Sequence, residues 1–266
     1  MRRTTGTKTL LTLTLLVMVP GADFLIAKDR SSWPHELVVG SLRVHADFPL
    51  RDHVELLSGI ASLQSTLQKR LGVQPGNEWV HVYFFRDKST YQRYVQRYVP
   101  EAPLRRALFV KRKGPGMVFA YAGRDCETDL RHEATHALLH ASLPMVPLWL
   151  DEGLAEYFEL EPNRRVGGNP YLARMRRSLW PGQFSRLQKL EVVDGVESMD
   201  AADYRRSWAW VHFMLHGPPA AREELIGFLE DINAHSPPGQ LSERLSRRIP
   251  DLERSFVTHF GTWRPN

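Results

Sequence analysis

One run restricts the local geometry of this chain more than any other: His132-Glu133-Ala134-Thr135-His136. Residues four apart on a helix share a face, one turn above the other, so His132 and His136 aim two imidazoles at one point. Two imidazoles so placed can hold one zinc ion. Glu133, one step round the helix, can reach a water on that metal. A catalytic zinc needs a third protein ligand and keeps one position open. Glu152 meets that need, sixteen residues beyond His136 in Leu148-Trp149-Leu150-Asp151-Glu152-Gly153-Leu154-Ala155-Glu156-Tyr157-Phe158. The expected site is Zn2+ held by His132, His136 and Glu152, with Glu133 as general base.

Four further residues carry expectations of their own. Glu156 lies one turn beyond Glu152 and is the first choice to accept the second ring N–H of a metal-bound histidine, with Asp151 as runner-up. His140 continues the histidine stripe, but that stripe drifts by about 40° over each four-residue step. A hydrogen-bonded, partly buried histidine is therefore expected there instead of a ligand. Cys126, the one cysteine, can form no internal disulfide and is expected to be buried as a small hydrophobe at the helix start.

His132-Glu133-Ala134-Thr135-His136 followed by Pro147-Leu148-Trp149-Leu150-Asp151-Glu152-Gly153-Leu154-Ala155-Glu156-Tyr157 resembles the gluzincin metallopeptidases, the thermolysin and M1 aminopeptidase-like clan. More narrowly it resembles the short bacterial peptidase MA-like proteins, including the DUF1570 group. The sharp motifs span residues 129–159, and a weaker likeness in element order spans about 36–216. The resemblance implies the ligand set and base just named and a peptide or protein substrate. It also implies that the strand before the motif helix is a sheet edge with which substrate pairs, so Met117, Val118, Phe119 and Ala120 would bind it. A downstream tyrosine or histidine would stabilise the oxyanion, with Tyr204 the first choice and His212 or His216 the alternatives. The longer metzincin pattern is absent: Leu139 stands where it needs glycine and Ser142 where it needs histidine. Gly114-Pro115-Gly116-Met117 only faintly echoes the aminopeptidase segment, which weighs against amino-terminal trimming.

Element signals predict an α+β fold, and the resemblance implies that it is zincin-like. A small mixed sheet, with its edge strand packed on the motif helix, precedes a mostly helical C-terminal part. Strands are expected over Leu37–Val44 and Trp79–Phe85, then as a hairpin of Arg106–Lys111 and Met117–Tyr121 around Gly114-Pro115-Gly116. Asp52–Leu71 has apolar residues at helical spacing and ends at Gly72. Ser89–Val99, Asp125–Ser142, Leu148–Leu160, Asp203–His216, Glu223–Ile232, Leu241–Ile249 and Asp251–Phe260 read as further helices. Loops are expected over 161–170 and at Trp180-Pro181-Gly182. Arg174, Arg176 and Arg177 could hold a substrate carboxylate, although a solvated helix face is the commoner use of such a run.

The first 27 residues are set apart. Arg2, Arg3 and Lys8 precede the apolar run Leu10–Val19, and small residues follow at Gly21, Ala22 and Ala27. This reads as a secretory signal, with an uncleaved membrane anchor through residues 10–27 as the alternative. The run is short for a span of about 20 residues. Residues 28–266 would then form one peptidase domain, helical over about 161–266, in an exported protein of the periplasm, envelope or medium. The net charge of +5 is mild and calls for no nucleic-acid partner. The oligomeric state is left open. The rival function is an exported zinc- or peptide-binding protein without catalysis, against which an intact Glu133 argues.

Overall fold

The computed structural model describes residues 33–103, 105–178 and 186–264. The expected signal or anchor over 1–27, and the turn at Trp180-Pro181-Gly182, lie outside these. No helix among the described residues is long and apolar enough to cross a membrane.

The chain opens with β1 (His35–Val39) and β2 (Leu42–Ala46), an antiparallel hairpin. The single strand expected over Leu37–Val44 is thus two strands, because Gly40 takes φ +56° and turns the chain. Next come α1 (Val54–Ala61) and α2 (Leu63–Leu71), nearly continuous and interrupted at Ser62. Gly72, at φ +72°, ends α2 in the left-handed region. β3 (Val80–Phe85) pairs parallel to β2. α3 (Lys88–Tyr98) is capped by Asp87, which accepts from Thr90 N at 2.9 Å.

β4 (Ala107–Val110) and β5 (Met117–Tyr121) form the expected antiparallel hairpin, and β5 also pairs parallel to β3. The sheet order is β1-β2-β3-β5-β4. Both backbone edges of Met117–Ala120 are therefore used inside the sheet. The edge on that side is β4, which corrects the assignment of substrate pairing to Met117, Val118, Phe119 and Ala120.

The two sheet faces follow strand alternation. Val80, Val82 and Phe84 face the main core, whereas Tyr83 and Phe85 face a smaller cluster built with Trp33, Tyr91 and Val95. On the main-core side, α4 (Cys126–Ser142) packs against β4 and β5, and α5 (Leu148–Phe158) packs against α4. Cys126 is half-buried against this core.

The rest is helical: α6 (Pro162–Arg165), α7 (Pro170–Ser178), α8 (Leu187–Glu191), α9 (Ala201–His216), α10 (Pro219–Asn233), α11 (Leu241–Arg248) and α12 (Leu252–Thr262). Three of these, α6 to α8, occupy a stretch read mainly as loop. One apolar core runs from the sheet through α4, α5 and α9 to α12. The α5–α9 crossing is close enough to require glycine: a Cβ on Gly153 would sit 2.6 Å from Ser207 O. Asp200 and Asp203 close a reciprocal capping box that fixes the start of α9.

Candidate metal centre

Every residue of α4 from Asp129 to Leu139 is buried. A helix enclosed on all sides cannot leave polar side chains to bulk water, so each must find a partner or a ligand. Arg106 straps the helix start, donating to Asp125 at 2.6 Å and Asp129 at 2.7 Å. Thr135 Oγ1 donates to Arg131 O at 2.8 Å. His132 Nδ1 lies 3.1 Å from Glu159 Oε2, and His136 Nδ1 lies 2.9 Å from Asp151 Oδ1. The other oxygen of Asp151 lies 2.9 Å from His140 Nε2.

These contacts put a carboxylate on the Nδ1 side of both rings, hydrogen-bonded at His132 and a close ion pair outside hydrogen-bond alignment at His136. A carboxylate there favours the Nδ1–H tautomer and leaves Nε2 with its lone pair outward. His132 Nε2, His136 Nε2 and both Glu133 oxygens are buried with no hydrogen-bond partner among the described residues. Glu152 Oε2 faces the two Nε2 atoms at 3.6 and 3.7 Å. The three potential ligand atoms lie within 4.8 Å of one another.

The donor set fits zinc. Zinc bonds of about 2.0–2.2 Å at tetrahedral angles put ligand atoms roughly 3.4 Å apart, close to the separations seen. Two imidazole nitrogens and one carboxylate oxygen also leave a fourth position free.

Electrostatics favour a cation at this point. Burial opposes a charge on His132, but Glu152 and Glu159, with Glu133 nearby, outweigh it and hold its proton affinity well above the usual range. Burial likewise opposes charge on His136, and Asp151 with Glu152 outweighs it. Asp151 is held well below the ordinary carboxylate range: burial raises it, but His136 and His140 prevail. Burial pushes Glu133 up to about 7, against the pull of His132 and His136.

The supporting residues differ in part from those expected. Asp151, the runner-up, holds His136. His132 is held by Glu159, which the sequence reading did not single out. Glu156 instead accepts from Tyr171 OH at 3.3 Å, and burial, reinforced by Glu159, raises its pKa well above normal. Its carboxyl lies near His132 but makes no hydrogen bond to it. The offset of three between Glu156 and Glu159 is under one helical turn, so only the α4–α5 crossing decides between them.

Tyr204, in the first turn of α9, is fully buried, and its hydroxyl has no hydrogen-bond partner among the described residues. Burial and then the charge of Glu152 raise its pKa. His212 and His216 are engaged elsewhere. His212 contacts His259 at 3.0 Å and the Val166 carbonyl at 3.2 Å, and His216 Nε2 lies 2.7 Å from Tyr157 OH. Arg176 donates to the carbonyls of Phe260 and Trp263, a structural use of that basic run.

No protein-family model matches the chain, and no curated protein matches it. Two similar solved structures are the M1 zinc metallopeptidase from Deinococcus radiodurans and a point mutant of that enzyme. They are 15% and 16% identical, with a TM-score of 0.44 each. The alignments cover 88% of this chain and 52% of each solved structure, so the chain spans about half their length. At that overlap the functional conclusion rests on the geometry of the site itself.

Proposed function

We propose that the protein is a zinc-dependent peptidase with a zincin-like fold. The observation that carries this reading is the convergence of His132 Nε2, His136 Nε2 and Glu152 Oε2 on one buried point beside the unpartnered Glu133 carboxyl. Buried polar atoms in folded proteins nearly always have partners, so the unpartnered His132 Nε2, His136 Nε2 and Glu133 oxygens mark a ligand site.

His132, His136 and Glu152 would hold the metal, while Asp151 and Glu159 keep the imidazoles oriented. Zinc bound there supplies a Lewis acid that polarises the scissile carbonyl and acidifies a water. Glu133 would take a proton from the attacking water and deliver it to the leaving amine. Tyr204 OH donates to the oxyanion of the tetrahedral intermediate. An extended substrate would add to β4, the edge strand whose Phe109 stacks on His136 at 6.2 Å. The basic, apolar and small-residue succession over Arg2–Ala27 supports export.

The reading is tested by metal analysis of the purified protein alongside Glu152→Ala. One zinc per chain is expected in the wild type, and Glu152→Ala should lower zinc occupancy and peptide cleavage together. Full occupancy in Glu152→Ala would remove Glu152 from the ligand set.

A further inference from the structure

His140 stands four residues beyond His136, one turn further along the same face of α4. That spacing carries it past the metal cluster, whose converging ligand atoms come from His132, His136 and Glu152. The same spacing lets one carboxylate reach both rings. Asp151, in the first turn of α5, sets Oδ1 2.9 Å from His136 Nδ1 and Oδ2 2.9 Å from His140 Nε2.

The two contacts are unequal. The one to His136 is a close ion pair outside hydrogen-bond alignment, whereas the one to His140 has hydrogen-bond geometry. An ionised carboxylate only accepts, so His140 Nε2 donates. The terminal torsion of an aspartate is broad and soft, and a single contact leaves the plane of its carboxylate free to turn. A second contact, on the other oxygen, fixes that plane. His140 can serve as such an anchor because it is itself held. Its side chain is 10% exposed, and Phe109 of β4 stacks on it at 5.6 Å and on His136 at 6.2 Å.

Resting on the peptidase reading and its zinc site, we propose that His140 is a positioning residue: it holds the Asp151 carboxylate against His136 and thereby sets how tightly the site keeps zinc. A carboxylate behind a metal-bound histidine fixes the orientation of the ring and raises its basicity, and both effects depend on where that carboxylate stands. If His140 merely tied α4 to α5, its loss would lower stability and leave metal binding unchanged.

The test measures zinc affinity of the folded full chain by chelator competition, and the metal-free stability of each variant by urea denaturation. His140→Leu and His140→Asn remove the donor at the Nε2 position, whereas His140→Gln keeps an N–H near it. The first two should each weaken zinc binding about 10-fold, and His140→Gln should keep most of the wild-type affinity. In an Asp151→Asn background, His140→Leu should cost less than about 2-fold more, because its effect runs through Asp151. Cobalt in place of zinc gives a second reading: its ligand-field bands should shift in His140→Leu and stay near wild type in His140→Gln. Wild-type zinc affinity in both His140→Leu and His140→Asn, whatever their stability, overturns the proposal while leaving the peptidase reading intact. An equal loss with and without the Asp151 carboxylate does the same. A wild type that binds no zinc removes both.

Discussion

At the residue scale, the division of labour around the histidines makes distinct predictions. Asp151 touches both His136 and His140, whereas Glu156 touches Tyr171. Asp151→Asn should weaken zinc binding by about 10- to 100-fold, measured by competition with a chelator. Glu156→Gln should shift it far less. Equal losses in the two variants would contradict the assignment of Asp151 as the orienting group. Tyr204→Phe removes one hydroxyl from a fully buried position and should lower kcat by about 10²- to 10³-fold with zinc content unchanged. A variant that turns over normally would exclude Tyr204 as the oxyanion donor. The clustering of His132, His136 and Glu152 was legible in the sequence because helical spacing fixes two of the three directly. Glu159 was not, because a partner on a second helix depends on a crossing that no local spacing records.

At the scale of elements, the most exacting contact is the crossing of α5 on α9. Gly153 follows Glu152 directly and meets the Ser207 backbone. Gly153→Ala forces the helices apart and should cost about 1–3 kcal/mol, read from urea denaturation, and it should reduce zinc affinity because Glu152 moves with its helix. A neutral substitution would mean that the crossing relaxes freely. The sheet shows where sequence reasoning ended. Both strands of the β4–β5 hairpin were legible from their apolar runs and the Gly114-Pro115-Gly116 turn. Their lateral order was not, since order along the chain says nothing about which strand β3 will choose. β5 pairs with β3, so β4 becomes the edge. The short helices α6 and α8 escaped notice because neither is long enough to display a helical period, and of α7 only its basic face was read.

At the scale of the whole molecule, one core joins the sheet to the helical part, and a buried histidine cluster lies within the latter. His212, His216 and His259 come from α9 and α12, and burial lowers their pKa values to about 3, 4 and 4. Arg70 and Arg222 further disfavour charge on His216, while the Val166 carbonyl opposes the shift at His212. Between pH 6.5 and 4 the unfolded chain therefore binds more protons at these sites than the folded one, so their contribution to stability falls with pH. In urea melts, the stability of wild type relative to His216→Gln should decline steadily over that range and stay level above pH 7. A constant difference would mean that His216 titrates normally in the folded state. The alternation of buried and charged positions made the α+β class legible, but this cluster carried no local signal, because its members meet only after the helices pack. The central claim is tested most directly by zinc content and cleavage of a mixed peptide library for wild type and Glu133→Gln. One zinc per chain in both, with cleavage by wild type only, is the predicted result. Absence of zinc from the wild type, or equal cleavage by Glu133→Gln, would contradict it.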